Sequence, residues 1–473
     1  MKTDNTLLST SKGYLAIIKS AIKGEAYDFT TIDLRKAVVL LAIPMMLELA
    51  LESVFAVVDI YFVNKLGVHA ASVVGLTESV ITLVYSVGIG LSAAATAMVA
   101  RRVGEKNIEG ASHSAAQAIL LALFVSAVLA VPGLFFAEDI LRWMGAEPAA
   151  IAEGLTYARI LMGGNVVIIL LFLINGIFRG AGNAAIAMKS LWIGNTFNII
   201  LDPVLIFGLM HIPGLGVTGA AVATTTGRTI GVLYQLYHLK KATGVLKLRK
   251  SHFIPDMGIM KGLLGIASPA TLQFIIASAS WIFLASIVAK YGSAASAGYQ
   301  TAIRLVVFFI LPAWGMSNAV STLVGQNLGA KMPERAERSV WITVKYNVVF
   351  MSFVTIILFF FAYDLAGFFI PAKETEQLKY AALALQIISS GYVFYGIGMV
   401  LTQAFNGAGD TKTPTILYFV GFWIFQIPFA FLMYHYYHAG ISSTFWAVPL
   451  AETLISIAVY LFFKRGKWKT VKV

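Results

Sequence analysis

Residues 37–63 read AVVLLAIPMMLELALESVFAVVDIYFV. A helix needs roughly 20 apolar residues to cross a hydrocarbon core of about 30 Å, and this stretch exceeds that without a single Lys or Arg. It nevertheless carries three carboxylates, Glu48, Glu52 and Asp59, and one proline, Pro44. A carboxylate at the membrane centre costs about 2.5–3.5 kcal/mol on insertion scales, so each is a functional candidate. Spaced i, i+4 and i+11, the three share one face of a helix.

The rest of the chain has the same character. Of its 473 residues 58% are hydrophobic and only 12% charged, with a mean hydropathy of +0.80. A soluble protein carries roughly 25% charged residues, so a water-exposed globule is excluded, as is a disordered chain. The sequence reads as an all-α polytopic membrane protein. Twelve spans emerge, at about 37–63, 70–99, 113–136, 157–178, 186–209, 217–239, 262–290, 296–324, 340–362, 380–405, 414–436 and 443–463. Nothing alternates in the manner of membrane β-strands. The absence of cysteine excludes disulfides, Cys-ligated zinc and thiol catalysis. Seven scattered histidines show no ligand spacing, so no metal or other cofactor is expected beyond a coupling ion.

Residues 1–36 are too polar for a signal peptide. Tyr14, Ile17, Ile18 and Ile22 recur there at helical spacing with lysines between them, the pattern of an amphipathic helix lying on headgroups. Of the 35 basic residues, 27 fall at the termini or in loops on the same side, and six in the opposite loops. By the positive-inside rule both termini are cytoplasmic. The net charge of +12 is therefore topology, and no nucleic-acid surface is expected. The cluster Met433–His438 (MYHYYH) reads as an interfacial aromatic belt.

The chain also repeats itself at an offset near 225. Pro44 aligns with Pro269 and Pro203 with Pro428, while VARRVGEK at 99–106 aligns with VGQNLGAK at 324–331. Phe178-Arg179-Gly180-Ala181-Gly182-Asn183 finds Phe405-Asn406-Gly407-Ala408-Gly409-Asp410. Six spans per repeat make the halves parallel, related by an axis along the membrane normal. The expected plan is a cytoplasmic segment 1–36, an N-lobe 37–240, a basic linker 241–260, a C-lobe 261–463 and a basic tail 464–473. Two six-helix lobes facing each other across a midplane cavity suit an alternating-access carrier. The Gly-rich span ends read as helix C-caps with left-handed glycines. The prolines read as kinks, and Pro44 as a hinge near Asp59.

Span 5 adds a second polar stripe, with Asn195, Asn198 and Asp202 at i, i+3 and i+7, and span 4 adds Asn175. Carboxylates crowded in low dielectric invite a shared proton or cation. Carboxylate and amide oxygens are also the hard ligands that Na⁺ takes. Interhelical hydrogen bonding is the structural alternative for each of these residues. Arg228 and Glu452 occupy equivalent places in spans 6 and 12, open either to a cross-lobe pair or to local pairing.

These landmarks together resemble the multidrug and toxic compound extrusion (MATE) family. They are the span 1 proline followed by Val58-Asp59-Ile60-Tyr61-Phe62-Val63, the two Gly-rich twins, Asp202-Pro203, and Gly216-Val217-Thr218-Gly219-Ala220-Ala221. The resemblance implies a V-shaped, 12-helix, two-lobe transporter that expels amphiphilic organic cations in exchange for H⁺ or Na⁺, monomeric in the bacterial inner membrane. It places Asp59, Asn175, Asn198 and Asp202 on the N-lobe ion site of the archaeal and DinF-like branch. Glu48, Glu52 and Asn195 fall outside that pattern and stand as candidate cavity residues. NorM-like members carry acids in helices 7 and 10, where this chain offers only Gln273, so coupling is assigned to the first lobe.

Three competitors remain. A major-facilitator-type porter shares the span count, although its usual loop acid is missing after span 2. A lipid-linked flippase of the same superfamily would line its cavity with basic residues. An intramembrane aspartyl protease would pair Asp364 with Asp410, but a full span separates them.

Overall fold

The computed structural model describes residues 11–209, 212–241, 245–371, 373–437 and 440–473. The side chains of Tyr14 and Asp59, and His438 of the aromatic cluster, lie outside the described residues. A short helix α1 (Ser11–Lys23) precedes the first half. That half begins with α2 (Leu34–Asn64), α3 (Val68–Gly104), α4 (Ile108–Phe135) and a short α5 (Ala137–Trp143). It continues through α6 (Pro148–Gly163) and α7 (Val166–Gly180), which together make one span, to α8 (Ala184–Phe207) and α9 (Val217–Lys240). A two-residue hairpin, β1 (Gly208–Leu209) with β2 (Ile212–Pro213), joins α8 to α9.

The second half repeats the pattern. It runs α10 (Met257–Ala289), α11 (Ser293–Gly329), α12 (Pro333–Phe360) and a short α13 (Ala362–Gly367). A broken span follows, α14 (Thr375–Ser389) and α15 (Tyr392–Ala408), bent by 54°. The eleventh span is α16 (Lys412–Tyr418), a π-helical stretch Phe419–Gln426 and α17 (Ile427–His435); α18 (Ile441–Lys464) ends the bundle.

Among the described residues ten helices are long and apolar enough to cross a bilayer, and the bent pair makes an eleventh. The twelfth, α9, falls short because Thr224, Thr225, Thr226, Arg228, Thr229 and Gln235 dilute it; its packing along α8 and α7 keeps it in the bundle.

The sequence repeat is also a repeat of geometry. α3 and α11 are both 37 residues, and α4 and α12 both 28, each pair 225 residues apart. Asp33 and Asp256 each cap the first span of a half, accepting from two backbone N–H groups; such a cap is worth about 1 kcal/mol. The Gly-rich twins end their helices as expected, with Gly182 at φ 86° and Gly409 at φ 90°, where a side chain would be strained.

Three expectations are modified. α1 does not leave its apolar face to lipid: Ile17 and Ala21 are buried against the first span. The stretch after α9 does not run free, because Lys247 N donates to Ser112 Oγ and Gln117 clamps the carbonyls of His252 and Ile254 onto α4. Span 10 is not continuous. Gly391 lies against Pro449, where a Cβ would come within 2.6 Å of the ring, and the chain turns there.

The lobes meet mainly through α3 against α10 and α11, and through α2 against α11. At the C-terminal ends of α3 and α11 the contact is reciprocal. A Cβ on Gly104 would stand 1.9 Å from the Gln326 carbonyl oxygen, and one on Gly329 would stand 2.1 Å from that of Arg101. The side chains reciprocate too. Arg101 donates to Ala408 O at 3.3 Å, and Gln326 Nε2 to Gly180 O at 2.9 Å, each reaching the other lobe's Gly-rich turn. The repeated octapeptides therefore close one mouth of the molecule against each other.

Candidate functional site

Beyond that seal the lobes part around a cavity of about 290 Å³. Phe172, Phe274, Trp281, Trp314, Tyr395 and Tyr418 give it aromatic walls, and Gln273, Asn318, Gln403 and Asn406 give it amides. Arg179 is the one charged group among the described residues that line it. Its helix α7 ends at Gly180, and its carbonyl accepts a hydrogen bond from Thr322 Oγ1 across the seal at 2.9 Å. Arg179 therefore stands where seal and cavity meet.

Behind Arg179 is a buried polar network within the first half. Glu48 is 1% exposed, and its Oε1 accepts from Arg179 Nη2 and from Asn175 Nδ2 at 3.1 Å. Asn175 Oδ1 in turn accepts from Gln235 Nε2 at 2.5 Å and lies 3.2 Å from the Ser190 hydroxyl. Burying charge in this way is tolerable only where it is paired and hydrogen-bonded. The pairing here is partial, since Glu48 Oε2 and Arg179 Nε are buried without a partner.

Two further networks lie along α8. Asn195 Nδ2 donates to Glu52 Oε2 at 3.0 Å. Asn198 Nδ2 donates to Thr224 Oγ1 at 3.0 Å and reaches Asp202 Oδ1 at 3.5 Å, with Asn198 and Asp202 both buried. Arg228 hydrogen-bonds Tyr85 in its own half and has Glu52 and Glu78 as charged neighbours. It thus pairs locally, while Glu452 is buried beside Tyr392 and Tyr395 in the second half.

The structure brings Asn198 to Asp202 and Asn175 to Glu48; Asp59 is on α2, with its side chain outside the described residues. Of the cavity candidates Glu48, Glu52, Asn195 and Gln273, only Gln273 is a wall residue. Glu48 and Glu52 turn toward α7 and α8, where they are hydrogen-bonded inside the lobe. Pro44 lies within an unbroken α2. α11 presses on that point through Gly315, whose Cβ would lie 2.5 Å from the Met45 carbonyl oxygen. Sequence reasoning missed the role of Arg179, which it treated as part of a cap motif. Its partner lies 131 residues away, a separation that no local spacing reveals.

Two like six-span lobes around a shared cavity, closed at one mouth by their own repeat, define a membrane transporter. The MatE family model matches residues 44–204 and again 269–432, and the chain belongs to the MatE family. It is a multi-pass small-molecule transporter and not an enzyme. It is 29% identical over 443 residues to a probable multidrug resistance protein NorM of Thermotoga maritima, covering 92% of this chain and 94% of that one. It is also 25% identical over 418 residues to an FAD transporter of Shewanella oneidensis, covering 87% and 90%. The fold superposes with a TM-score of 0.88 on an outward-facing structure of a multidrug resistance MATE family transporter of the MOP superfamily, at 26% identity, covering 94% of this chain and 98% of that one.

Proposed function

We propose that the chain is a secondary active antiporter that expels amphiphilic organic cations from the cytoplasm in exchange for H⁺ or Na⁺. One observation carries this reading: an aromatic, amide-lined cavity between the lobes has Arg179 on its wall, and the partner of Arg179 is Glu48, a buried carboxylate of the first half. Aromatic faces attract delocalised cations without a formal counter-charge. The positive-inside rule puts the glycine-packed seal on the cytoplasmic side, so the structure corresponds to an outward-facing state.

In the proposed cycle, Asp59 and Asp202, supported by Asn198 and Asn175, take up the coupling ion from outside. Binding alters α2 near Pro44 and lowers the cavity's affinity for cargo, which leaves. Loss of the ion to the cytoplasm resets the lobes. Coupling requires that cargo and ion each bind the two states with different affinity.

A second reading is export of a planar anion, and Arg179 on the cavity wall favours it, as does the likeness to the Shewanella FAD transporter. Everted vesicles separate the readings. Ethidium uptake driven by an imposed H⁺ gradient in Na⁺-free buffer, or by an imposed Na⁺ gradient at equal pH, supports cation antiport and names the ion. Uptake of flavin adenine dinucleotide with ethidium ignored supports anion export, and movement of neither refutes both.

A further inference from the structure

We propose that Glu48 and Arg179 form a charge switch that sets which sign of cargo the cavity accepts. The inference takes the cavity to be the cargo site, as proposed above, but does not depend on ion coupling. The geometry has three parts. Arg179 is the one charge among the described wall residues, and its side chain is 13% exposed. Its counter-ion Glu48 is not on the wall but directly behind it, 1% exposed and out of reach of cargo. Each member of the pair keeps one buried polar atom without a partner, Glu48 Oε2 and Arg179 Nε, so the pair is not locked from every side.

The consequence is electrostatic. With Glu48 ionised, the wall is neutral overall, and aromatic faces and amides decide binding. With a proton on Glu48, the guanidinium becomes an uncompensated positive charge on the wall in a medium of low dielectric. It then repels a cation and attracts an anion. The switch thus links occupancy of a buried carboxylate to release of a cationic cargo that the carboxylate never touches.

The groups surrounding Glu48 allow this. The charged groups acting on it among the described residues are Arg179 from α7 and Glu52 one turn along α2. α7, α8 and α9 otherwise contribute the neutral Asn175, Ser190 and Gln235, and α11 meets this part of α2 through Gly315. Among the described residues the other anion beside this pair, Glu52, is hydrogen-bonded to Asn195 Nδ2 on α8 rather than to Arg179.

A matched pair of probes tests the switch: pyrenyl-trimethylammonium and pyrene sulfonate, equal in shape and opposite in charge. Binding to purified protein is read by energy transfer from tryptophan, Trp281 and Trp314 being wall residues. Glu48→Gln is expected to weaken the cation and strengthen the anion, moving the ratio of their affinities by about 10- to 100-fold, the range for one unit charge at close approach under an effective protein dielectric. Arg179→Gln, which leaves Glu48 alone, is expected to move the ratio the other way, so either variant suffices should the other fail to fold. The double variant Glu48→Gln/Arg179→Gln is expected to return the ratio to within about threefold of wild type, as a pairwise coupling demands.

Equal weakening of both probes by a folded single variant, or an unchanged ratio, overturns the proposal, since a merely structural pair would produce one or the other. No gradient enters the measurement. Ratio inversion in a protein that moves nothing under H⁺ or Na⁺ gradients would therefore refute antiport and leave the switch standing. Antiport with an unmoved ratio would do the reverse.

Discussion

Gly104→Ala should open the seal between the ends of α3 and α11. The new methyl would stand 1.9 Å from the Gln326 carbonyl oxygen, which belongs to the backbone and cannot rotate away. A carbon needs about 3.3 Å from a carbonyl oxygen, so the ends of α3 and α11 must part by about 1 Å or more. That displacement overpacks the seam, at about 1–3 kcal/mol. It also pulls on the bonds from Gln326 to Gly180 O and from Arg101 to Ala408 O, each worth about 1 kcal/mol. A total near 3–5 kcal/mol shifts the closed-to-open ratio by about 150-fold or more. The natural chain has no cysteine, so Thr322→Cys, at a position buried in the seal, supplies one reporter thiol. In inside-out vesicles, adding Gly104→Ala should raise maleimide labelling at that thiol tenfold or more, and Gly329→Ala should do the same from the twin position. Unchanged labelling in both would show that the reciprocal contact does not hold the mouth shut.

Other expectations follow from separate parts of the molecule. Gly315→Val drives a larger side chain onto the Met45 carbonyl at the proposed hinge and should slow transport about tenfold with little change in cargo affinity. Trp468→Ala removes a fully buried ring stacked on Phe463, and should cost about 3–5 kcal/mol, read as lowered thermal stability in detergent. Asp28, outside the spans, is partly buried, which works against its charge, but the Lys106 ammonium and the Thr30 hydroxyl and amide outweigh burial and hold its carboxyl below the ordinary value. Its contribution to docking of the N-terminal segment is therefore present above about pH 4, the unfolded value, and lost as pH falls through the depressed one. Protease cleavage near residue 28 should accelerate only in that acid range, and Asp28→Asn should remove the transition.

The parts of this fold that were legible in sequence are those set by local chemistry. Span lengths follow from hydropathy, and the twin helices follow from a repeat whose members sit 225 residues apart and end at matched glycines. The break in span 10 was hidden because the residue packed against Gly391 at the turn, Pro449, comes from another helix. α9 was read as a span at 217–239 from apolar length, although its threonines dilute that signature. The polar stripes of spans 1 and 5 were visible as helical spacing, but what each residue bonds was not. Helical periodicity puts Glu48 and Glu52 on one face without saying that the face turns inward to α7 and α8. Arg179 looked like the end of a helix and is in fact the charge on the cavity wall.

The most direct test of the account is transport in proteoliposomes holding the protein with an imposed proton gradient and, separately, a sodium gradient, following ethidium in the wild type, Asp59→Asn and Asp202→Asn. One gradient should drive ethidium in the wild type, and both variants should bind the dye yet fail to move it against its gradient. Gradient-driven transport at the wild-type rate in both variants, at equal incorporation, would contradict coupling through the carboxylates of the first half.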